Sequence, residues 1–206
     1  MDKIKILIVD DHAMMRMGLI SLLGTVKSLS VVGEAENGLD AVRAARALGP
    51  DVILMDLMMP QMDGVAATEE ILKSSPSTKI ILLTSADSSD IIARGLKAGA
   101  RGAILKSADF TSLVSTINAV AGGEEIISPE IKRLLSDDPP LTDLTARQQD
   151  ILQAIVRGLY DKDIAMQLGI SVYTVKEHVN TLFAKLGASN RTEAVAIALR
   201  KHLLKA

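Results

Sequence analysis

Two hydrophobic rhythms divide the chain. Up to residue 121, short apolar runs rich in β-branched residues recur at positions 4–9, 31–34, 52–55, 80–83 and 103–105. Between them the spacing is helical. Leu19, Leu22 and Leu23 share one face, as do Ala41, Ala44, Ala45 and Leu48. The same holds for Val65, Thr68 and Leu72, and for Leu113, Ile117 and Val120. Five strands alternating with five helices predict an α/β fold, a doubly wound parallel five-stranded sheet. The unbroken apolar runs at 6–9 and 80–83 suit strands covered by helices on both faces, where neither side meets water.

This rhythm stops after residue 121. Gly122-Gly123, Glu124, Glu125, Ser128-Pro129, Asp137-Asp138 and Pro139-Pro140 give residues 122–141 the composition of a linker. A short helix near 131–135 interrupts it. Beyond it strand signals vanish and four helices are expected in residues 142–206. The first starts at Thr145, with Gln148 three residues on, the spacing of a capping box. It runs to about residue 157 and stops at Gly158. The second spans about 161–168 and ends at Gly169. The third follows Ser171, a good N-cap, and runs to about 186, before Gly187. The fourth starts near Asn190, with Glu193 three on, and carries Ala194, Val195, Ile197 and Ala198. The expected organisation is a first domain at 1–121, a linker at 122–141 and a small all-α domain at 142–206.

Composition narrows the function classes. The chain has 206 residues, 48% of them apolar, and no cysteine. A disulfide framework and a thiolate zinc site are excluded, which fits a reducing compartment. No apolar run reaches the roughly 18 residues that span a bilayer. The opening residues 1–11 meet charge too soon for a signal peptide. A cytoplasmic protein without membrane contact is expected. The net charge of −2 is unevenly spread. Residues 1–121 hold 12 Lys and Arg against 14 Asp and Glu, residues 122–141 hold 2 against 5, and residues 142–206 hold 9 against 6. The basic excess lies in the last third, where a phosphate-binding surface would have to be. Charge alone does not separate that reading from a chance asymmetry between two halves.

In open α/β sheets, chemistry gathers at the carboxyl ends of the strands. Asp10 and Asp11 end the first predicted strand, Asp56 the third, Thr84 the fourth and Lys106 the fifth. A lone aspartate there usually serves a turn or caps a helix. Five polar residues at the right ends, in the order Asp-Asp, Asp, Thr, Lys, make a site. Three carboxylates in one crevice repel one another unless a cation joins them. Mg2+ is suited to this: it takes one or two carboxylates plus phosphate oxygens and keeps several waters. Screened in this way, a carboxylate can act as nucleophile toward a phosphoryl donor. Lys106 can neutralise phosphoryl oxygens, and the Thr84 hydroxyl can donate to one. Pro60 stiffens the loop after Asp56, and Asp63-Gly64 opens the next helix. His12 reads as the start of the first helix rather than as a catalytic group. The methionines at 14–17 and 55–62 read as flexible packing, since soft-metal ligation has little support here.

These residues carry a resemblance. Residues 1–121 resemble a response-regulator receiver domain, a flavodoxin-like fold, over their whole length. The resemblance implies Asp56 as phosphoacceptor, with Thr84 and Lys106 contacting the phosphoryl group. It also implies Mg2+ held by Asp11, Asp56 and the Met58 backbone carbonyl, with Asp10 assisting through water. Three departures stand out. Receivers usually carry an aromatic residue three before the lysine, where it changes rotamer with phosphorylation; here it is Ala103. Ser107 replaces the proline that often follows the lysine. Met58 and Ala86 are apolar at positions two beyond Asp56 and Thr84, where family side chains influence hydrolytic water. A long-lived phosphoryl group is therefore expected.

Residues 161–186 read as two helices joined through Leu168-Gly169-Ile170-Ser171, a helix-turn-helix. On the second, Val175, Val179, Leu182 and Leu186 form the buried stripe. Thr174, His178, Thr181 and Lys185 form a polar stripe, and Tyr173, Lys176, Glu177 and Asn180 an exposed one. Lys can donate to guanine, Asn can pair with adenine and Glu can accept from cytosine in the major groove. Thr174, Lys185, Lys162 and Arg191 are candidates to hold phosphates and fix register. Periodicity alone favours an ordinary amphipathic helix in a small bundle. Residues 144–198 resemble a LuxR-type helix-turn-helix. The match runs through Leu144-Thr145-Ala146-Arg147, Thr174-Val175-Lys176-Glu177-His178-Val179, Lys185-Leu186-Gly187 and Asn190-Arg191-Thr192-Glu193-Ala194. That resemblance implies base-reading positions at Lys176, Glu177 and Asn180. Gln148 stands where the family usually has Glu, and Asp161 where it often has Asn, which adds negative charge near the expected DNA face.

The whole chain resembles a NarL/FixJ-class regulator. The resemblance implies a transcriptional response regulator, phosphorylated on Asp56 by a sensor histidine kinase, that binds promoter DNA as a homodimer. No enzymatic activity is expected beyond assisting its own aspartyl phosphorylation and dephosphorylation. Two alternatives remain. An aspartyl-phosphate phosphatase is disfavoured, because no second acid stands two residues after Asp56 and no cap insertion appears. A DNA-binding regulator switched without phosphorylation is supported by Ala103.

Overall fold

The structure, a computed structural model, describes residues 3–85, 88–140, 144–201 and 203. It divides into two compact units, with the boundary between Asp138 and Pro139. In the first, strands β1 (Ile4–Val9), β2 (Leu29–Ala35), β3 (Val52–Asp56), β4 (Lys79–Thr84), β5 (Gly102–Leu105) and β6 (Ile126–Ile127) alternate with helices. The helices are α1 (Ala13–Leu23), α2 (Gly38–Leu48), α3 (Gly64–Ser74), α4 (Ser89–Lys97), α5 (Phe110–Ala121) and α6 (Pro129–Asp137). All strands pair in parallel, in the order β2-β1-β3-β4-β5-β6.

Alternation along each strand sends side chains to opposite faces. Leu7, Val9, Ile53, Met55, Ile80 and Leu82 join a core with α2, α3 and α4. Ile6, Ile8, Leu54, Ile81 and Leu83 join a second core with α1 and α5. Side chains this deeply buried each contribute about 1.5–3 kcal/mol. Both faces are covered, as the unbroken apolar runs require.

The sheet has six strands where the pattern predicts five. Gly102 and Ala103 of β5 pair with Ile126 and Ile127, which lie in the segment whose composition reads as linker. The punctuating residues there have other work. Gly122 caps α5, and Gly123 takes a φ of 98°. The Ser128 hydroxyl accepts from the Ile131 amide, and Pro129 occupies the first turn of α6. Ile131 is fully buried against the sheet, so α6 belongs to the first unit.

The loop that follows Asp56 is tightly held. The Gly64 amide donates to Leu57 O (3.0 Å), and the Gly38 amide donates to Met62 O (3.1 Å). Asp63 caps α3 by accepting from the Ala66 amide, and Gln61 adopts a left-handed φ of 67°.

The second unit is helical: α7 (Ala146–Val156), α8 (Asp161–Leu168), α9 (Val172–Leu186) and α10 (Arg191–Arg200). Thr145 and Gln148 form the expected capping box. Gly169 and Gly187 end α8 and α9 in the left-handed conformation, which glycine adopts without a Cβ penalty. Val175, Val179, Leu182 and Leu186 of α9 pack with Ile151, Leu152, Ile164 and Ile197.

Gly64 tests the tightness of the loop below Asp56. A Cβ there would lie 2.1 Å from Asp56 O and 2.9 Å from Leu57 Cα, both backbone atoms that cannot turn aside. Gly64→Ala is expected to destabilise the first unit by about 1–3 kcal/mol, as overpacking does. An unchanged midpoint in urea would contradict this.

Candidate functional site

In a doubly wound sheet the crevice opens where neighbouring strands send their connections to opposite faces. Here that place lies between β1 and β3, whose register sets Val9 beside Met55 and so brings Asp10 and Asp56 together. Lys106 Nζ lies 2.7 Å from Asp10 Oδ2 and 2.8 Å from Asp56 Oδ2. The Lys106 amide donates to Thr84 O (2.8 Å), which fixes the two strand ends side by side. Asp10, Asp56 and Thr84 are buried, whereas Asp11 is exposed at the mouth. The Met58 amide donates to Asp56 Oδ1 (3.3 Å). The structure thus brings Asp10, Asp11, Asp56, Thr84, Met58 and Lys106 to one edge of the sheet. Ala86 lies outside the described residues.

Two groups join the site that the strand-end pattern misses. His12 is the N-cap of α1, as read, but its Nδ1 also lies 2.6 Å from Asp11 Oδ1 and 3.3 Å from Asp10 Oδ1. Arg16 donates to Asp10 O (2.8 Å) and to Glu34 Oε2 (2.9 Å), bracing the end of β1 against β2. It is the only charged residue of α1, and that isolation on an otherwise apolar helix was the available signal.

In the second unit the candidate residues separate into two groups. Lys176, Glu177 and Asn180 project from α9 into solvent, and Lys162 is exposed on α8. The other three are engaged within the unit. The Thr174 hydroxyl lies 2.8 Å from the Ser171 hydroxyl at the α9 N-cap. Lys185 Nζ donates to Gln148 Oε1 (3.0 Å), tying α9 to α7. Arg191 donates to Leu159 O, pairs with Asp161 (3.5 Å) and lies over the Tyr160 ring, 5.9 Å from its centroid. The acidic Asp161 is therefore an intramolecular partner of Arg191.

Known proteins resemble this chain in both units. Residues 6–118 match the model of the response regulator receiver domain, and residues 142–198 that of the bacterial regulatory proteins of the luxR family. The chain belongs to the response regulators. It is 41% identical to the transcriptional regulatory protein YdfI of Bacillus subtilis, with 97% of each chain covered. It is 38% identical to the response regulator protein VraR of Staphylococcus epidermidis, over 98% of this chain and 99% of that one. Among solved structures, two RcsB dimers bound to two parallel DNAs give a TM-score of 0.69 at 25% identity, covering 97% of this chain and 99% of that one.

The receiver site carries an excess of negative charge. Burial pushes the Asp56 carboxyl above its usual value, Lys106 opposes this, and the charge on Asp10 reinforces it. Burial works to lower the Lys106 amine, but Asp10 and Asp56 outweigh it and leave it raised. Two buried carboxylates share one ammonium. Ligand atoms of Asp10, Asp11, His12 and Asp56 lie within 4.8 Å of one another. This oxygen-rich set, buried on one side and open on the other, fits a hard divalent cation that keeps some of its waters.

These directions set opposite signs for two substitutions. A folded carboxyl with a raised pKa binds its proton more tightly than the unfolded one, so ionising it lowers stability. The loss grows as pH rises from the ordinary value of 3.8 through the folded one. Asp56→Asn is therefore expected to raise the Tm of the metal-free protein at neutral pH, with the gain shrinking as pH falls toward the ordinary carboxylate range. Lys106→Ala is expected to lower stability by about 3–5 kcal/mol, because it leaves the buried carboxylates without their cation. Thermal and urea unfolding in a chelator measure both, and equal signs would sink the argument.

Proposed function

We propose that this response regulator controls transcription by binding promoter DNA through α9, and that phosphorylation of Asp56 sets its activity. The observation that carries the reading is the buried Asp56 carboxylate, which shares the Lys106 ammonium with Asp10 in the crevice. An Asp56 carboxylate oxygen attacks the phosphorus of a donor, a kinase phosphohistidine or a small acyl phosphate. The bond from phosphorus to the donor atom breaks, and the electron pair leaves with that donor. Lys106 swings its ammonium from the carboxylates to the transferred oxygens, and the Thr84 hydroxyl donates to another. Asp10, Asp11, Asp56 and the Met58 carbonyl would hold Mg2+, which supplies charge neutralisation at the phosphoryl oxygens when bound. The apolar Met58 side chain beside the site leaves hydrolytic water without a polar partner there, and a long-lived phosphoryl group follows.

On DNA, Lys176, Glu177 and Asn180 read base edges, while Lys162 meets a phosphate. Thr174, Lys185 and Arg191 hold α9 in place and reach phosphates only by giving up their present partners. A homodimer on paired half-sites is the common solution for such helices, and the RcsB dimers on DNA support it here. The reading sets the protein in the cytoplasm, where promoter DNA lies. Among the described residues no helix is long and apolar enough to cross a membrane.

Ala103 favours a second reading, DNA binding switched without phosphorylation, since this fully buried position lacks the aromatic side chain of other receivers. Intact mass after incubation with acetyl phosphate and Mg2+ decides the input. One phosphoryl adduct is expected on the native chain and none on Asp56→Ala. Failure of every donor, a panel of phosphorylated sensor kinases included, would leave the second reading. On the output side, Lys176→Ala is expected to cost about 1–3 kcal/mol of specific binding and to relax one base position. Lys162→Ala should weaken all sequences alike and reduce the salt slope by about one. Binding isotherms at several salt concentrations separate the two behaviours.

A further inference from the structure

His12 brings a nitrogen to a site otherwise built of oxygens. Asp10 and Asp11 follow β1, and His12 comes next as the N-cap of α1. Its amide donates to Asp10 Oδ1 (2.8 Å), which fixes the turn, while its side chain makes no capping bond. Nδ1 instead faces the carboxylates, 2.6 Å from Asp11 Oδ1 and 3.3 Å from Asp10 Oδ1. In an octahedral shell with ligands about 2.1 Å from the ion, neighbouring donor atoms stand about 3 Å apart. The two separations bracket that edge, and one donor atom from each of Asp10, Asp11, His12 and Asp56 lies within 4.8 Å of the others. A second observation points to a cation. Asp10 Oδ2 and Asp56 Oδ2 are sealed from solvent, lack a well-directed hydrogen bond and share one counter-charge, Lys106.

We propose that His12 ligates the divalent cation of this site through Nδ1, so that the site prefers a first-row transition ion to Mg2+. The proposal rests on the reading of the strand-end carboxylates as a metal site. Mg2+ is a hard ion that favours oxygen ligands, so an imidazole nitrogen adds little to its binding. Transition ions accept imidazole readily, and their affinity for a mixed nitrogen and oxygen set climbs from Mn2+ through Fe2+ and Co2+ to Ni2+. One nitrogen among carboxylates shifts the order without making the site soft, and the chain has no cysteine to do so. Ligation needs the Nδ1 lone pair, which places the ring proton on Nε2. The His12 side chain is 73% exposed, so that N–H can donate to water. The ion stands where a proton otherwise joins Nδ1 to Asp11 Oδ1.

Mn2+ is the probe, because it stands lowest in the series and a nitrogen preference seen with it holds for the later ions. Pulsed EPR of the full chain loaded with Mn2+ is expected to show nitrogen coupling that vanishes in His12→Ala and in His12→Asn. Asparagine is a good N-cap, so the second variant keeps α1 anchored. Equilibrium dialysis is expected to give His12→Ala an Mn2+ affinity lower on the order of tenfold, at least what loss of a supporting partner costs, with Mg2+ affinity unchanged. Bound Mn2+ without nitrogen coupling overturns the proposal and leaves the metal site standing; equal losses of both ions in His12→Ala would then mark His12 as a partner that orients Asp11. Nitrogen coupling that survives both substitutions belongs to another histidine and also overturns the proposal. Failure of the site itself looks different. Mn2+ that binds Asp56→Asn as tightly as the native chain does not occupy the strand ends, and this overturns the metal-site reading together with the proposal.

Discussion

Two buried carboxylates sharing one ammonium set the terms for the first unit. Asp10 and Asp56 reach Lys106 at 2.7 Å and 2.8 Å while apolar strands exclude water from their sides. Charges attract and repel more strongly where the surroundings are less polar than water, and here one negative charge is in excess. The arrangement is unfavourable by itself, as the raised Asp56 carboxyl records. It persists because the sheet register dictates it: Val9 is set against Met55, and Thr84 O is bonded to the Lys106 amide. The two apolar cores on either side of the sheet supply the stability that this edge gives up. A site with uncompensated charge is also a site that gains from a cation or from rearrangement, which is what a switch needs.

The strand-end residues were legible because an unbroken apolar run marks a strand covered on both faces, and the polar residue where the run stops is then conspicuous. That logic needs runs of several residues. β6 has two, Ile126 and Ile127, too few to stand out as such a run. Its neighbours misled for a physical reason. Gly, Ser-Pro and Asp are the residues of linkers, but they are equally those that end one helix and cap the next, as Gly122, Ser128 and Pro129 do around α5 and α6. Arg16 and the contact of His12 with Asp11 were hidden differently, since each depends on how α1 lies against the strand ends rather than on local spacing.

The second unit shows the same limit on the polar side. Periodicity separates the buried stripe of α9 from its polar stripes, and the structure agrees at Val175, Val179, Leu182 and Leu186. It cannot tell which polar residues already have a partner on another helix. Lys185 meets Gln148 of α7, and Arg191 meets Asp161 and Leu159 O, so both orient helices before any DNA arrives. The exchange of the family's usual Glu for Gln148 leaves a neutral acceptor facing the Lys185 amine, with the same oxygen also accepting from the Thr145 amide. Capping and helix docking thus run through one side-chain atom. Precise presentation of Lys176, Glu177 and Asn180 depends on this supporting shell.

Within the first unit, the candidate site and the start of α6 are joined by a short physical route. Ala103 and Lys106 are three residues apart on one extended segment, a span of about 10 Å at the rise of a strand. On one flank of β5, Leu105 pairs with Thr84 of β4; on the other, Ala103 pairs with Ile127 of β6. A charge added at the strand ends and the point where the chain turns into α6 are therefore joined by backbone hydrogen bonds within a single sheet. No extended chain of side chains is required to connect them. Ala103 stands at the α6 end of that span, where it pairs with Ile127 and its carbonyl accepts from the Ser128 amide.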